Sequence, residues 1–346
     1  MIIRHLAALL LAGAIAVATP WSSAQAAEGE VTVYTTREPG LLKPMLEVFT
    51  AKTGIKVNSV FLQGGLAERV QAEGARSPAD VMIVVDAGTL LDLAERGLTQ
   101  PIKSAAIVAA VPATLRDPAG QWTALSMRAR VILVSKDRVP ASVNPTYEDL
   151  ADPRWKGKVC IRGGQHPYNT ALFAAMLTKY GDAKLTEYLT ALKANLARRP
   201  SGGDRDVARD ILAGTCDVGV ANLYYAGLMA SGAGGAEQRK WADAMRVVIP
   251  TFKDKLGTHV NISGAAIAKH APHPKEAVAL LDFLVSPEAQ RMLSEGNFET
   301  PVRAGVAAPP VLAAFGTVTP DRVTPAQIAE RRTEASRLVD QTGFDK

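Results

Sequence analysis

The chain has 346 residues, of which 47% are hydrophobic and 21% charged, and its formal net charge is +5. Those proportions exclude a disordered, collagen-like or polytopic membrane protein, and the length suits two or three domains. The charge is spread rather than gathered in runs, which fits an anionic partner without calling for nucleic acid. Two cysteines are too few for a disulfide scaffold or an all-cysteine metal site.

The first 26 residues read as a secretory signal. Arg4 is followed by the apolar run Leu6 to Ala18, then by small residues ending Ala24-Gln25-Ala26. The run is shorter than the roughly 20 residues a membrane-spanning helix needs. The expected mature chain starts at Ala27, is exported, and is not inserted in a membrane. Export makes a Cys160–Cys216 disulfide the expected state, with two buried thiols as the alternative.

From Val31 onward, short β-rich runs alternate with amphipathic stretches of helical length. Val31–Tyr34, Ile55–Phe61 and Ala79–Val85 read as strands, and Gly40–Thr53, Ala67–Ala75 and Gly88–Arg96 as the helices between them. A longer β-like run, Leu125–Lys136, opens a second unit. In it Val159–Arg162, helices over Thr170–Tyr180, Lys184–Leu196 and near Asp204–Ala213, and Asp217–Ala221 repeat the alternation. Strands at Met245–Ile249 and Ile262–Ala268 and a mainly helical final stretch follow. The expected architecture is α/β: two lobes of mostly parallel sheet with helices on both faces. Hinge crossings are expected near 125–131 and 245–251. One lobe would hold 27–127 plus about 251–300, the other 128–250 plus about 301–346.

No GxSxG, GxxxxGK[ST], CxxC or HExxH is present, and no GxGxxG opens a helix after a strand. His270 and His273 are three apart, but Pro272 and Pro274 break the helix that would align them as zinc ligands. The tyrosines are more informative. Tyr224 and Tyr225 are adjacent, beyond the carboxyl end of a predicted strand and at the start of a predicted helix, where open α/β sheets bind ligands. Tyr168 occupies an equivalent place after Val159–Arg162. Helix N-termini favour negative charge. Phenolate oxygen is a hard donor suited to Fe(III) and poor for soft or weakly charged metals. The alternative for the pair is one buried and one exposed aromatic flanking a helix start.

In this order, the stretches VTVYTTRE (31–38), FTAKTGIKVN (49–58), SPADVMIVVDAGTL (77–90), MRARVILVSKDRV (127–139), GTCDVGVANLYYAGL (214–228) and GTHVNISGAAIAKHAP (257–272) give the mature chain a resemblance. It resembles the ferric-iron-binding proteins of bacterial periplasmic ABC importers, specifically their tyrosine-rich type. The resemblance implies the class II periplasmic binding-protein fold, a monomeric protein of the periplasm that is not an enzyme, and delivery of Fe(III) to an ABC permease in the inner membrane. It implies that Tyr224 and Tyr225 are the paired ligands and Tyr168 a third. Arg128 matches an arginine that binds a synergistic anion such as carbonate, and Asn222 an asparagine lining that anion pocket. The first loop departs from the pattern: Glu38-Pro39 stands where many relatives carry a histidine. Glu38 is either a replacement oxygen ligand or a loop residue and lobe-closing partner. The Val85-Asp86 form fits the tyrosine-rich type, which implies that Asp86 caps its helix rather than ligating. His166, two before Tyr168, is expected to stabilise its loop, with an approach to the metal as the alternative. Two alternatives remain: a related binding protein for a polyamine, thiamine or phosphonate, and a secreted hydrolase or transferase, for which no nucleophile–base pair can be nominated.

Overall fold

The structure, a computed structural model, describes residues 29–346. The expected signal peptide, 1–26, lies outside them. The first unit runs β1 (Glu30–Thr35), α1 (Pro39–Thr53), β2 (Lys56–Phe61), α2 (Leu66–Glu73), β3 (Val81–Val84), α3 (Ala87–Glu95), β4 (Thr99–Gln100) and α4 (Ala105–Ala110). The long strand β5 (Thr123–Ser135) leads to β6 (Val159–Cys160), α5 (Pro167–Ala194), α6 (Asp204–Leu212), β7 (Val218–Asn222), α7 (Leu223–Ser231), α8 (Ala236–Asp243) and β8 (Met245–Val248). The chain returns through β9 (Val260–Ala268) to α9 (Pro274–Leu284), α10 (Pro287–Asn297), β10 (Thr300–Pro301), α11 (Pro310–Ala313), α12 (Pro325–Glu330) and α13 (Arg332–Gln341).

Local chemistry accounts for the element ends. Helix α1 begins with Pro39, whose missing N–H costs nothing in a first turn. It ends at Gly54, whose left-handed φ of 75° lets its N–H donate to the Thr50 carbonyl. Leu42, Met45, Leu46 and Phe49 form its buried stripe. Asp86 caps α3, its carboxylate accepting from the Thr89 N–H at 3.1 Å. Helix α5 covers both helices expected over 170–196, with a break at Gly181 where φ is 78°.

The strand order is β2-β1-β3-β9-β5-β7-β6. The sheet is mixed, not mostly parallel as the alternating pattern suggested. Only β1 with β2, β1 with β3 and β6 with β7 pair in parallel. β5 and β9 pass between the two lobes in opposite directions, so they pair antiparallel with each other and with the strands they cross. All 13 residues of β5 are buried. Its first part, to Ala129, pairs with β9, and from Arg130 onward it pairs with β7 and β8. That change of partner falls within the expected first crossing. The return crossing lies between Val248 and Val260, because β8 is still paired to Ile132–Ser135. Most of the tail after β10 is loop, with three short helices rather than a helical run.

A buried ion pair stands beside the first crossing. Arg37 meets Glu299 at 2.9 Å, and both are almost fully buried. Ser126 donates to the same carboxylate. Glu299 stays below the usual carboxylate range although burial opposes this, because Arg37 and Arg128 attract its charge.

Candidate metal centre

The three tyrosines expected to act together are brought together. β6 and β7 are parallel neighbours, so the helices that follow them start side by side. Tyr168 sits in the first turn of α5, and Tyr224 and Tyr225 in the first turn of α7. The Tyr168 and Tyr224 hydroxyls are 3.3 Å apart, and the Tyr224 and Tyr225 ring centroids 4.2 Å apart. All three side chains are partly buried. Burial, then the neighbouring phenols Tyr168 and Tyr225, pushes the Tyr224 phenol well above its ordinary value. Burial raises Tyr225 as well. Without a cation Tyr224 and Tyr225 hold their protons, and the phenol oxygens of the three clustered tyrosines are hard donors that a highly charged metal ion would ionise. Among the described residues no cluster of three or more His, Cys, Asp or Glu is placed to hold a metal.

The loop that delivers Tyr168 is held at several points. His166 caps α5: its Nδ1 accepts from the Tyr168 N–H at 3.2 Å. Its ring meets the Tyr168 ring edge-on at 4.5 Å between centroids. Burial, reinforced by Arg162, lowers the His166 imidazole to about 4, so it is neutral and free to accept. The C-terminus clamps the same loop. Asp345 accepts from the N–H groups of Gly164 and Gln165, at 2.6 and 3.0 Å. A Cβ at Gly164 would lie 2.7 Å from Phe344 and 2.9 Å from Val339, so a side chain there would push the clamp away. Beneath the loop, Cys160 and Cys216 form a disulfide with Cα atoms 5.8 Å apart, both buried.

Arginines surround Tyr168. The guanidinium carbons of Arg162, Arg128 and Arg130 lie 5.0, 5.6 and 5.9 Å from its ring centroid. Arg128 is 5% exposed. Its one hydrogen bond runs from Nη2 to the Ile262 carbonyl at 3.2 Å, and its buried Nε has no partner. That guanidinium is under-committed, as a group with donors left for an anion must be. Arg130 is more fully tied, although its buried Nε also has no partner. Its Nη1 donates to Asp204 at 2.6 Å and to Asn222 at 3.1 Å, and its Nη2 donates to Asn169 at 2.6 Å. Asn222 is the residue before α7, yet its side chain does not cap the helix, because its Oδ1 accepts from Arg130.

Glu38 stands apart from the phenols in the chain and in setting. It precedes α1, is exposed, and its side chain makes no capping bond. Sequence reasoning did not single out Arg130, Arg162, Asn169, Asp204, Arg37 or Glu299. A legible signal existed for Arg130 alone: in a strand, residues two apart share a face, so Arg130 follows Arg128.

With this geometry in view, comparison with known proteins is direct. Residues 76–322 match the family of bacterial extracellular solute-binding proteins. Iron uptake protein A2 of Synechocystis is 39% identical over 279 residues, covering 81% of each chain. The structure of a Bordetella ferric binding protein is 55% identical, with a TM-score of 0.88, covering 92% of this chain and 100% of that one. A Trichodesmium protein solved in complex with iron and citrate ligands is 38% identical, with a TM-score of 0.86, covering 91% and 100%. A match over most of the chain, with the fold to go with it, makes this protein a member of the bacterial extracellular solute-binding protein family.

Proposed function

We propose that this protein captures Fe(III) between its lobes through the phenolates of Tyr168, Tyr224 and Tyr225, and hands it to an ABC permease from the periplasmic side of the membrane. The observation that carries the reading is the convergence of three phenols from two adjacent helix N-termini. The names of the Synechocystis and Bordetella relatives and the iron in the Trichodesmium structure support it. Three phenolates balance the charge of one ferric ion. Arg128, with its uncommitted Nε, supplies positive charge for a further anionic ligand such as carbonate or a citrate carboxylate. Asn222 borders that position through its contact with Arg130. Glu38, on the lobe that carries α1, meets the site when the lobes close. The reading involves no turnover of a substrate.

Each phenol that ligates releases a proton, so affinity falls as pH falls. The test is a titration of the purified, iron-stripped protein with ferric citrate, followed by visible absorption. The reading requires a phenolate-to-iron charge-transfer band that is absent from a Tyr224→Phe/Tyr225→Phe variant. A colourless parent overturns the iron assignment. A band that survives in the variant moves the site away from the tyrosine pair.

A further inference from the structure

Asp204 makes no hydrogen bond to the phenols, although its charge acts on Tyr225. It is 1% exposed, in the first turn of α6, and is the one carboxylate shared by two guanidiniums at this site. Its Oδ2 accepts from Arg130 Nη1 at 2.6 Å and from the backbone N–H of Asn222 at 2.7 Å. Its Oδ1 accepts from Arg162 Nη1 at 3.2 Å. Each contact leads to a phenol-bearing element. The Asn222 N–H belongs to the residue from which α7 starts, two before Tyr224. Arg130 continues to Asn169, the neighbour of Tyr168, whose Nδ2 donates to the carbonyls of Arg162 and Gly163 at 2.9 and 3.1 Å. One buried carboxylate thus ties together β5, α6, the end of β7 with the start of α7, and the loop before α5.

A carboxylate this deeply buried costs several kcal/mol unless it is fully paired, and it is a poor source of net stability compared with apolar packing. What it supplies is fixed geometry. Charge-assisted hydrogen bonds at 2.6 Å to Asp204 and to Asn169 leave Arg130 little freedom. Arg130 is therefore committed to holding the frame, and Arg128, with one side-chain hydrogen bond, is the less committed cation.

We propose that Asp204 is a positioning residue for iron capture: through Arg130 and the Asn222 N–H it holds the N-termini of α5 and α7 in register, so that the three phenol oxygens converge before iron arrives. The inference rests on the ferric reading above. Preorganisation of this kind raises affinity by lowering the ordering cost of binding, and outer partners of metal ligands typically account for about 10–100-fold in metal affinity.

The test compares four full-length proteins loaded from ferric citrate, with free citrate as competitor: the parent, Asp204→Asn, Asn169→Ala and Asp217→Asn. Asn169→Ala cuts only the branch to Tyr168 and keeps the inference testable if Asp204→Asn does not fold. Asp217→Asn removes a partner of Arg138, 2.6 Å away, at the far end of β7, and controls for a general loss of stability. Asp204→Asn is expected to lose about 10–100-fold in affinity, and both site variants to give a weaker, shifted charge-transfer band per bound iron. Asp217→Asn should keep the parental band even if its melting temperature drops. Parental affinity and band in folded Asp204→Asn, or in Asn169→Ala if the former does not fold, overturns the positioning role while leaving the ferric reading intact. A parent without the band overturns both.

Discussion

The face that bears the tyrosines and the face that bears Glu38 are built differently. On the face made by α5, α6 and α7, the side chains that support the tyrosines are tied to one another: His166 to the Tyr168 N–H, Asn169 to two carbonyls, Arg130 to three acceptors, Asp204 to three donors, with only the Nε atoms of the arginines left unpaired. On the face carrying α1, the buried Arg37–Glu299 pair fixes the base of the loop, while the next residue, Glu38, is exposed and uncapped. The contrast separates two tasks. A rigid face holds donors that would otherwise repel each other once ionised. In the proposed function, the loose face would contribute a group that arrives late and leaves early, as a carrier that releases its cargo requires.

The strongest way to break this contrast is to remove the donors of the rigid face. Tyr224→Phe/Tyr225→Phe should weaken ferric binding by more than about 10,000-fold against citrate, since ligands exceed the 10–100-fold typical of their supporting partners. A loss of tenfold or less would make the pair structural.

Next in size is the disulfide beneath the rigid face. Its 56-residue separation gives a loop whose closure is worth about 4 kcal/mol in the chain-entropy treatment. Cys160→Ala/Cys216→Ala should lower unfolding free energy by that order in urea titrations. Below its melting point it should retain the charge-transfer band, because hydrogen bonds and not the disulfide set the phenol geometry.

A smaller effect concerns the crossing itself. His259, beside β9, is buried, and burial, reinforced by Arg130, lowers its imidazole to about 3. An unfolded histidine titrates near 6.5. Between these values the unfolded chain binds a proton that the folded chain does not. Stability therefore falls as pH drops below about 6.5, by about 2 kcal/mol at pH 5 from this group. His166, lowered to about 4, acts in the same direction but is more open to solvent. Urea midpoints of the apo-protein from pH 7.5 to 5 should decline, and less steeply in His259→Gln. An identical slope in the variant would place the pH sensitivity elsewhere.

The smallest expected effect lies on the loose face. Glu38→Gln should change ferric affinity by about tenfold or less, mostly through faster release, because it removes one late contact and leaves the phenols untouched. A loss equal to that of a tyrosine variant would erase the distinction between the faces.

Much of the rigid face was legible in the sequence, because local signals carry it. A buried strand followed by helix-forming residues places Tyr224 and Tyr225 at a strand end, and the same pattern places Tyr168. Pro167 marks the first turn of α5, but histidine is not among the usual capping residues, so His166 did not declare itself as the cap. The supporting network was hidden for a different reason. Arg130 and Asp204 are 74 residues apart, and Arg37 and Glu299 are 262 apart. No local spacing links such pairs. The mixed sheet was hidden too, since periodicity reports that a segment is a strand but not which way its neighbour runs. Only the double passage of β5 and β9 between lobes reverses the pairing.

A pair of crystal structures, iron-free and ferric-loaded, tests the central claim most directly. The account predicts iron bonded to the phenol oxygens of Tyr168, Tyr224 and Tyr225, with the Asp204–Arg130–Asn222 contacts unchanged and the displacement confined to the lobe that carries Glu38. Iron bound elsewhere, or α5 and α7 rearranged around it, would contradict the account.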